Sequence, residues 1–409
     1  MRKIIIAFFI FTFISLSAQE IVISDSARIS LITCSPGEEL YSKFGHTAIR
    51  IQDSQNKIDV VFNYGIFSFE TENFYYKFVK GETDYQLGVY DTQLFLPEYA
   101  ERNSTVWEQE LAFSVAEKRN LINALLTNYL PENKLYRYNF VYDNCATRPL
   151  NIIKSSINGH LEYKNAGDPL TFRQWVNEYV APNSWAGFGI DLVFGIDADR
   201  NVSIYESMFL PEVLMDQFQH AVIVSNGRER RNLTKERMVL VGSGDKKIEE
   251  SKGVFSNPLY TSLLFLLTGV IVTFFIGRQR TIIKSFDSIL LFTSGLTGLI
   301  LVYMMTFSLH PLVGSNFNIL WLNPLNIVAA FFIWFRSMRK VLFFYQIVNI
   351  SFLVIALFTF GTSIQSFNMA VFPIIVLMLL RYTRWASRAK TKLYTIRPKR
   401  SSNSSQKGF

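Results

Sequence analysis

The strongest constraint in this sequence is a series of long apolar runs after Asn257, read at 259–276, 289–307, 319–335, 341–360 and 369–380. In lipid every backbone N–H and C=O must be satisfied within the chain, so runs of this kind are read as membrane helices. A span takes roughly 17–25 residues. The fifth run is short, and its helix is read as starting near Ile364.

Charge orders these spans. From Asn257 onward there are 15 Lys and Arg residues against one acid, Asp287. Arg278, Arg280 and Lys284 lie between the first two spans, and Arg336, Arg339 and Lys340 between the third and fourth. More basic residues follow the fifth, from Arg381 to Lys407. The alternate loops, 308–318 and 361–367, carry no charge. Positive residues stay on the cytoplasmic side, so residues 19–256 are expected outside and the C-terminus inside. The start of the chain points the same way. Met1-Arg2-Lys3, an apolar run over 4–16 and Ser17-Ala18 have the layout of a secretory leader cleaved after Ala18; an uncleaved N-terminal anchor is the alternative reading.

The net charge of +8 would suggest a nucleic-acid partner if it were spread evenly. It is not, because residues 19–256 hold 24 basic and 32 acidic residues. The basic excess is a topology signal, and nucleic acid is excluded as a partner.

The expected organisation is therefore a leader at 1–18, an exported domain at 19–255, a transmembrane domain at 256–382 and a basic tail at 383–409. The exported part reads as α+β. Thr47 to Ile51 and Val60 to Tyr64 have strand character and are joined by a turn at 53–56, so they predict a hairpin. Residues 114–129 have helical spacing. Residues 241–252 read as a linker, and the Ser-rich end from Ser401 as disordered.

Two cysteines, Cys34 and Cys145, both lie in the exported part, together with three histidines, His46, His160 and His220. A disulfide between the cysteines is one reading for an oxidising compartment. A reactive thiol is the other. Cys145 follows Asp143 and Asn144, which favour helix starts, and a thiol at a helix N-terminus is biased toward the thiolate. Pro149 delays the regular helix toward Arg148 or makes its first turn irregular. His46 enters a strand after Gly45 and would serve as proton acceptor. A core cysteine beside a hydrogen-bonded histidine explains the same residues without chemistry. The predicted hairpin brings Asn63 beside His46 as a candidate third residue, with Tyr64 second; Asn63 also reads as an ordinary strand-end residue.

Several motifs extend the pattern: Thr33-Cys34-Ser35-Pro36-Gly37, Phe44-Gly45-His46-Thr47-Ala48-Ile49-Arg50, Asn63-Tyr64-Gly65, Tyr138-Asn139-Phe140 and Asp143-Asn144-Cys145-Ala146-Thr147-Arg148. With Asn318 to Leu325 downstream, they resemble the Lnb family, the Bacteroides-type lipoprotein N-acyltransferases. The exported part is also similar to circularly permuted NlpC/P60 (papain-like) domains, in which the His strand precedes the Cys helix. The resemblance implies Cys145 as nucleophile and His46 as base, in an α+β papain-like periplasmic domain followed by a five-helix membrane domain of the inner membrane. It also implies an acyl chain moved from a membrane lipid ester, through a thioester, to the N-terminal amine of a diacylglyceryl-cysteine lipoprotein. The backbone N–H of Cys145, with Tyr138 or Asn144, would support the oxyanion. His310 and Asn316 in the charge-free loop, and Asn323 with Asn326 further on, are candidates for a lipid or substrate region. No metal or cofactor is expected. A membrane-anchored thiol peptidase or amidase, and a non-enzymatic envelope anchor, are the rival readings.

Overall fold

The computed structural model describes residues 23–394 apart from 165–168, 182, 226, 228, 243–252, 277–278 and 363, with side chains as far as Ser387. The leader, the linker over 243–252 and the Ser-rich end lie outside the described residues.

Among the described residues a seven-stranded sheet organises the N-terminal half. Its strands are β1 (Arg28–Cys34), β2 (His46–Asp53), β3 (Ile58–Ile66), β4 (Asp84–Asp91), β5 (Val106–Glu110), β6 (Leu135–Arg137) and β10 (Met238–Val241), in the order β10-β5-β1-β2-β3-β4-β6. Every pairing in it is antiparallel. β7 (His160–Glu162), β8 (Val222–Ser225) and β9 (Glu229–Asn232) form a second, small sheet.

Seven of the helices in this half are short: α1 (Phe74–Lys80), α2 (Thr92–Glu101), α4 (Thr147–Ser156), α5 (Phe172–Asn177), α6 (Trp185–Val193), α7 (Ile204–Ser207) and α8 (Pro211–His220). The longer α3 (Val115–Tyr129) starts in a capping box, with Glu117 accepting from the backbone of Ser114 at 2.8 Å.

Successive strand residues point to opposite faces, and both faces of this sheet are covered. Ile29 and Leu31 of β1 join the core under α3, α4 and α8. Ile32 and Cys34 pack with Phe95 and Tyr99 of α2 on the other side. β1 is accordingly buried along its length from Ile29, with Ser30 and Thr33 enclosed as well as its apolar residues. The predicted hairpin forms as β2 and β3, in the register Ala48 opposite Asn63.

The C-terminal half is helical: α9 (Pro258–Phe274), α10 (Arg280–Phe307), α11 (Asn326–Phe332), α12 (Arg339–Thr359) and α13 (Val371–Tyr394). α10 and α12 are long and apolar enough to cross a membrane, and α9 is a shorter apolar helix. The stretch read as one third span, 319–335, is broken. A 3-10 turn at Phe317–Leu320 gives way to irregular chain and then to α11. Pro324 accounts for the break, since it lacks an N–H and clashes with a preceding helical turn. The irregular backbone is covered by protein: Trp321 and Leu322 are buried, and the Trp321 indole donates to Asn318 Oδ1 at 2.8 Å. Asn326 joins three helices, donating to Ser294 at 3.0 Å and accepting from Tyr345 at 2.6 Å and Tyr382 at 3.2 Å.

α13 begins at Val371 rather than near Ile364, and runs well past the expected end at Leu380. Arg381, read from sequence as the start of the basic flank, is buried among the helices instead. It grips Asp287 with two hydrogen bonds of 2.6 and 2.8 Å and donates to Thr273 at 2.6 Å, while the Trp385 indole also donates to Asp287. A charge at that depth is tolerated only when paired and fully hydrogen-bonded.

The halves meet through the two charge-free loops. Leu309 N donates to Lys80 O at 2.8 Å, and His310 Nε2 donates to Phe78 O at 2.7 Å. At the end of α6, Asn316 donates to the carbonyls of Leu192 and Val193 at 2.8 and 2.9 Å, Asn318 to Leu192 O at 3.1 Å and Gln365 to Phe194 O at 3.3 Å. The last carbonyls of a helix have no partner within it. Here the membrane half supplies them. Buried Arg173, paired with Asp191 and Asp199 at 3.0 Å each, holds the same segment from the other side.

Candidate functional site

The site is built where β1, β2 and β3 end side by side. Gly45, with φ +74°, makes the turn into β2; a Cβ there would lie 2.6 Å from the carbonyl of Cys34. His46 then opens the strand opposite Cys34. Asn63 sits across from Ala48, two residues into β2, and so shares the face of His46. Its Oδ1 lies 2.6 Å from His46 Nε2. An amide oxygen can only accept, so Nε2 carries the proton and Nδ1 is left with a lone pair for the thiol.

Cys145 reaches this point from the opposite end of the chain order. Asn139 and Asp143 close a tight loop with reciprocal backbone hydrogen bonds of 3.0 Å each. Asn144 clamps its exit. Its amide donates to Phe140 O at 2.7 Å and Phe209 O at 2.9 Å, and its Oδ1 accepts from Ala146 N and Thr147 N at 2.8 and 2.9 Å. Asn144 thus fixes the turn leading into α4, and both amide hydrogens are committed to carbonyls, leaving neither for an oxyanion. α4 starts at Thr147, so Pro149 falls in its first turn, where the missing N–H has no helical partner to lose.

The thiol and imidazole stand close enough for each to shift the other's ionisation. Burial by itself would push the Cys145 thiol up; the positive charge of His46, with the backbone N–H groups of Thr47 and Cys145, brings it below its ordinary value. For His46 burial acts to lower the pKa, but the Cys145 charge and the hydrogen bond to Asn63 raise it overall. Both shifts favour a thiolate–imidazolium pair.

Gly65, with φ +94°, packs beside both groups. A Cβ there would stand 3.6 Å from Cys145 Cβ and 3.9 Å from both His46 Cε1 and Tyr136 Oη. His46, Asn63 and Gly65 form one end of a cleft of 440 Å³ walled by aromatic side chains, among them Tyr41, Phe67 and Phe69. Its charged lining groups, Glu98 and Arg102, are paired at 2.5 Å.

Comparison with known families follows this division into two halves. The family model of the Lnb N-terminal periplasmic domain matches residues 16–178, and that of the Lnb transmembrane domain matches residues 249–392. The chain belongs to the Lnb family. No curated protein and no solved structure matches it. It is accordingly a membrane-embedded protein with a periplasmic N-terminal domain, and family membership indicates a lipoprotein-modifying membrane enzyme.

Within this Lnb chain, His46, Asn63 and Cys145 all fall inside the periplasmic match, whereas α6 lies in the segment between the two matches. Tyr64 points to the opposite face from Asn63, into the main core, where its hydroxyl accepts from Asn128 at 2.9 Å. Tyr138 stands near Cys145, with its ring stacked on Tyr85 at 4.1 Å. Cys34 and Cys145 are both free thiols. Cys34 is fully buried, packed with Tyr99, and that burial pushes its thiol up.

His310, Asn316 and Asn323 are not brought to the cleft. The first two join the halves, and Asn323 donates to Asn349 at 3.2 Å between membrane elements. Tyr136 was missed. Its hydroxyl is buried without a hydrogen-bond partner, and the Arg148 guanidinium lies 3.5 Å over its ring. The alternation Leu135-Tyr136-Arg137-Tyr138 carries a signal for it, because period two puts Tyr138, just past β6, on the same side as Tyr136.

Proposed function

We propose that this chain is a lipoprotein N-acyltransferase that works through an acyl-thioester on Cys145. The observation that carries the reading is the Cys145–His46–Asn63 arrangement, in which Cys145 stands behind the His46 and Asn63 that line an aromatic-walled cleft, in a domain hydrogen-bonded to loops of the membrane half. The arrangement is papain-like in its residues, with the His strand before the Cys helix. The positive loops argue for an inner-membrane protein with five membrane passes and a cytoplasmic C-terminus.

In the first half-reaction the Cys145 thiolate attacks the ester carbonyl of a membrane lipid. The C–O bond breaks, and the proton on His46 goes to the departing glycerol oxygen, leaving a lysolipid and the thioester. The Cys145 backbone N–H and the Tyr136 hydroxyl are the donors for the oxyanion. In the second, the neutral amine of a diacylglyceryl-cysteine attacks the thioester carbonyl and His46 takes a proton from it. The thiolate leaves, and the amide is the N-acylated lipoprotein. Water competes for the thioester, so an aromatic cleft that excludes it favours the amine.

Expression of the chain in cells lacking native N-acylation, with mass spectrometry of a reporter lipoprotein's N-terminus, tests this. Triacyl product is expected from the wild type and none from Cys145→Ser or His46→Ala. Diacyl product from the wild type would overturn the reading, and cleaved cell-wall peptides would favour a thiol peptidase or amidase.

A further inference from the structure

We propose that the outward face of α1 is immersed in the outer leaflet of the bilayer and forms the route by which lipid reaches the cleft. α1 is short, and its two sides do different work. Phe74 is buried, 5.0 Å from Phe69 between ring centres, and Phe69 in turn stands beside Tyr41 and Phe67 in the cleft wall. Tyr75, Tyr76 and Phe78 face outward and are 76%, 57% and 47% exposed. Three large aromatic side chains on two turns of helix are an uncommon thing to leave in water.

The depth of this face is set by its attachments. The carbonyls of Phe78, Val79 and Lys80 accept from His310, Ser308 and Leu309, the three residues that follow the end of α10. α1 is thereby level with the last turn of a membrane-spanning helix. Tyr76 lies 6.5 Å from Tyr303 of α10, whose own outward face continues downward through exposed Ile300 and Leu299. The aromatic face of α1 is therefore continuous with the lipid-facing surface of α10. Lys77 on the same helix matches the phosphate layer, while Lys80 is paired with Glu82 at 2.7 Å. Aromatic residues at headgroup depth with basic neighbours are what an interfacial helix presents to lipid. That this face delivers substrate rests on the acyl-transfer reading; its immersion does not.

The test uses the full-length protein in nanodiscs of phosphatidylethanolamine and phosphatidylglycerol. A spin label is placed at Tyr75→Cys in a Cys145→Ala background, where Cys34 is buried and does not react. The control label is Arg119→Cys, exposed on α3 beside Asp25, which precedes the end of β1 opposite to the site. Collision with oxygen should exceed collision with a water-soluble nickel chelate at position 75, and the reverse should hold at 119. Chelate-dominated collision at 75, or dipolar broadening between two copies, would overturn the immersion. In otherwise unmodified protein, Tyr75→Asp should lower acyl transfer from nanodisc lipid about tenfold relative to the rate at which iodoacetamide alkylates Cys145. An unchanged ratio would overturn the delivery route. Absence of transfer in the wild type would instead count against the acyltransferase reading and leave the depth measurement standing.

Discussion

At the scale of residues, the chemistry rests on a balance between burial and charge at one sulfur. Burial opposes the Cys145 thiolate, and His46 is the largest effect acting the other way. The alkylation inflection of wild-type Cys145 should therefore lie below that of an ordinary thiol. In His46→Ala the opposing burial is left, so the inflection should move above about pH 8.5; a pH profile of iodoacetamide labelling reads this directly. Asn63 acts through His46. Asn63→Ala should cost about ten- to a hundredfold in kcat by releasing the imidazole from its orientation, and Asn63→Gln should restore little because the longer side chain moves the oxygen. Tyr136→Phe removes the unpartnered hydroxyl without changing the ring. Its expected effect is a fall of about a hundredfold in kcat with little change in KM, measured with lipid donor in vesicles.

At the scale of elements, two close approaches decide the packing. A Cβ on Gly298 would lie 1.7 Å from the carbonyl of Leu322, so α10 touches the broken third span backbone to backbone. Small residues allow such contacts between membrane helices. Gly298→Ala should lower thermal stability by about 1–3 kcal/mol in detergent, since one side must move away. The carbonyl end of α6 is the second case, because its caps come from a different half of the chain. Asn316→Ala with Gln365→Ala should raise hydrogen exchange over residues 191–196 while α4 keeps its protection. Equal protection in variant and wild type would mean that these bonds do not hold the segment.

At the scale of the whole molecule, the Asp287–Arg381 pair ties α10 to α13 inside the membrane half. Asp287→Asn leaves a buried guanidinium without its counter-charge and should destabilise by about 3–5 kcal/mol. Asp287→Leu combined with Arg381→Leu should recover most of that, as judged by the melting temperature in detergent. Failure to recover would point to a role beyond packing.

Much of this was legible in order. The hairpin of β2 and β3 was readable because alternating strands and a turn are local signals, and the Asn63–His46 contact followed from its register. The apolar runs and the charge-free loops were readable because lipid and membrane polarity act on composition alone. Tyr136 and Gly65 were not, since their importance lies in standing beside Cys145, about ten and eighty positions away along the chain. His310 and Asn316 were read as a lipid region, yet they bond to backbone carbonyls from 123 to 232 residues away. Arg381 looked like a loop charge because its partner is 94 residues distant. What the sequence determined by itself is the division into a periplasmic half and a membrane half, with a cysteine and a histidine in the first. Which side chains meet was decided by the fold, because hydrogen bonds of 2.6–3.3 Å depend on position in space and leave no periodicity in the chain.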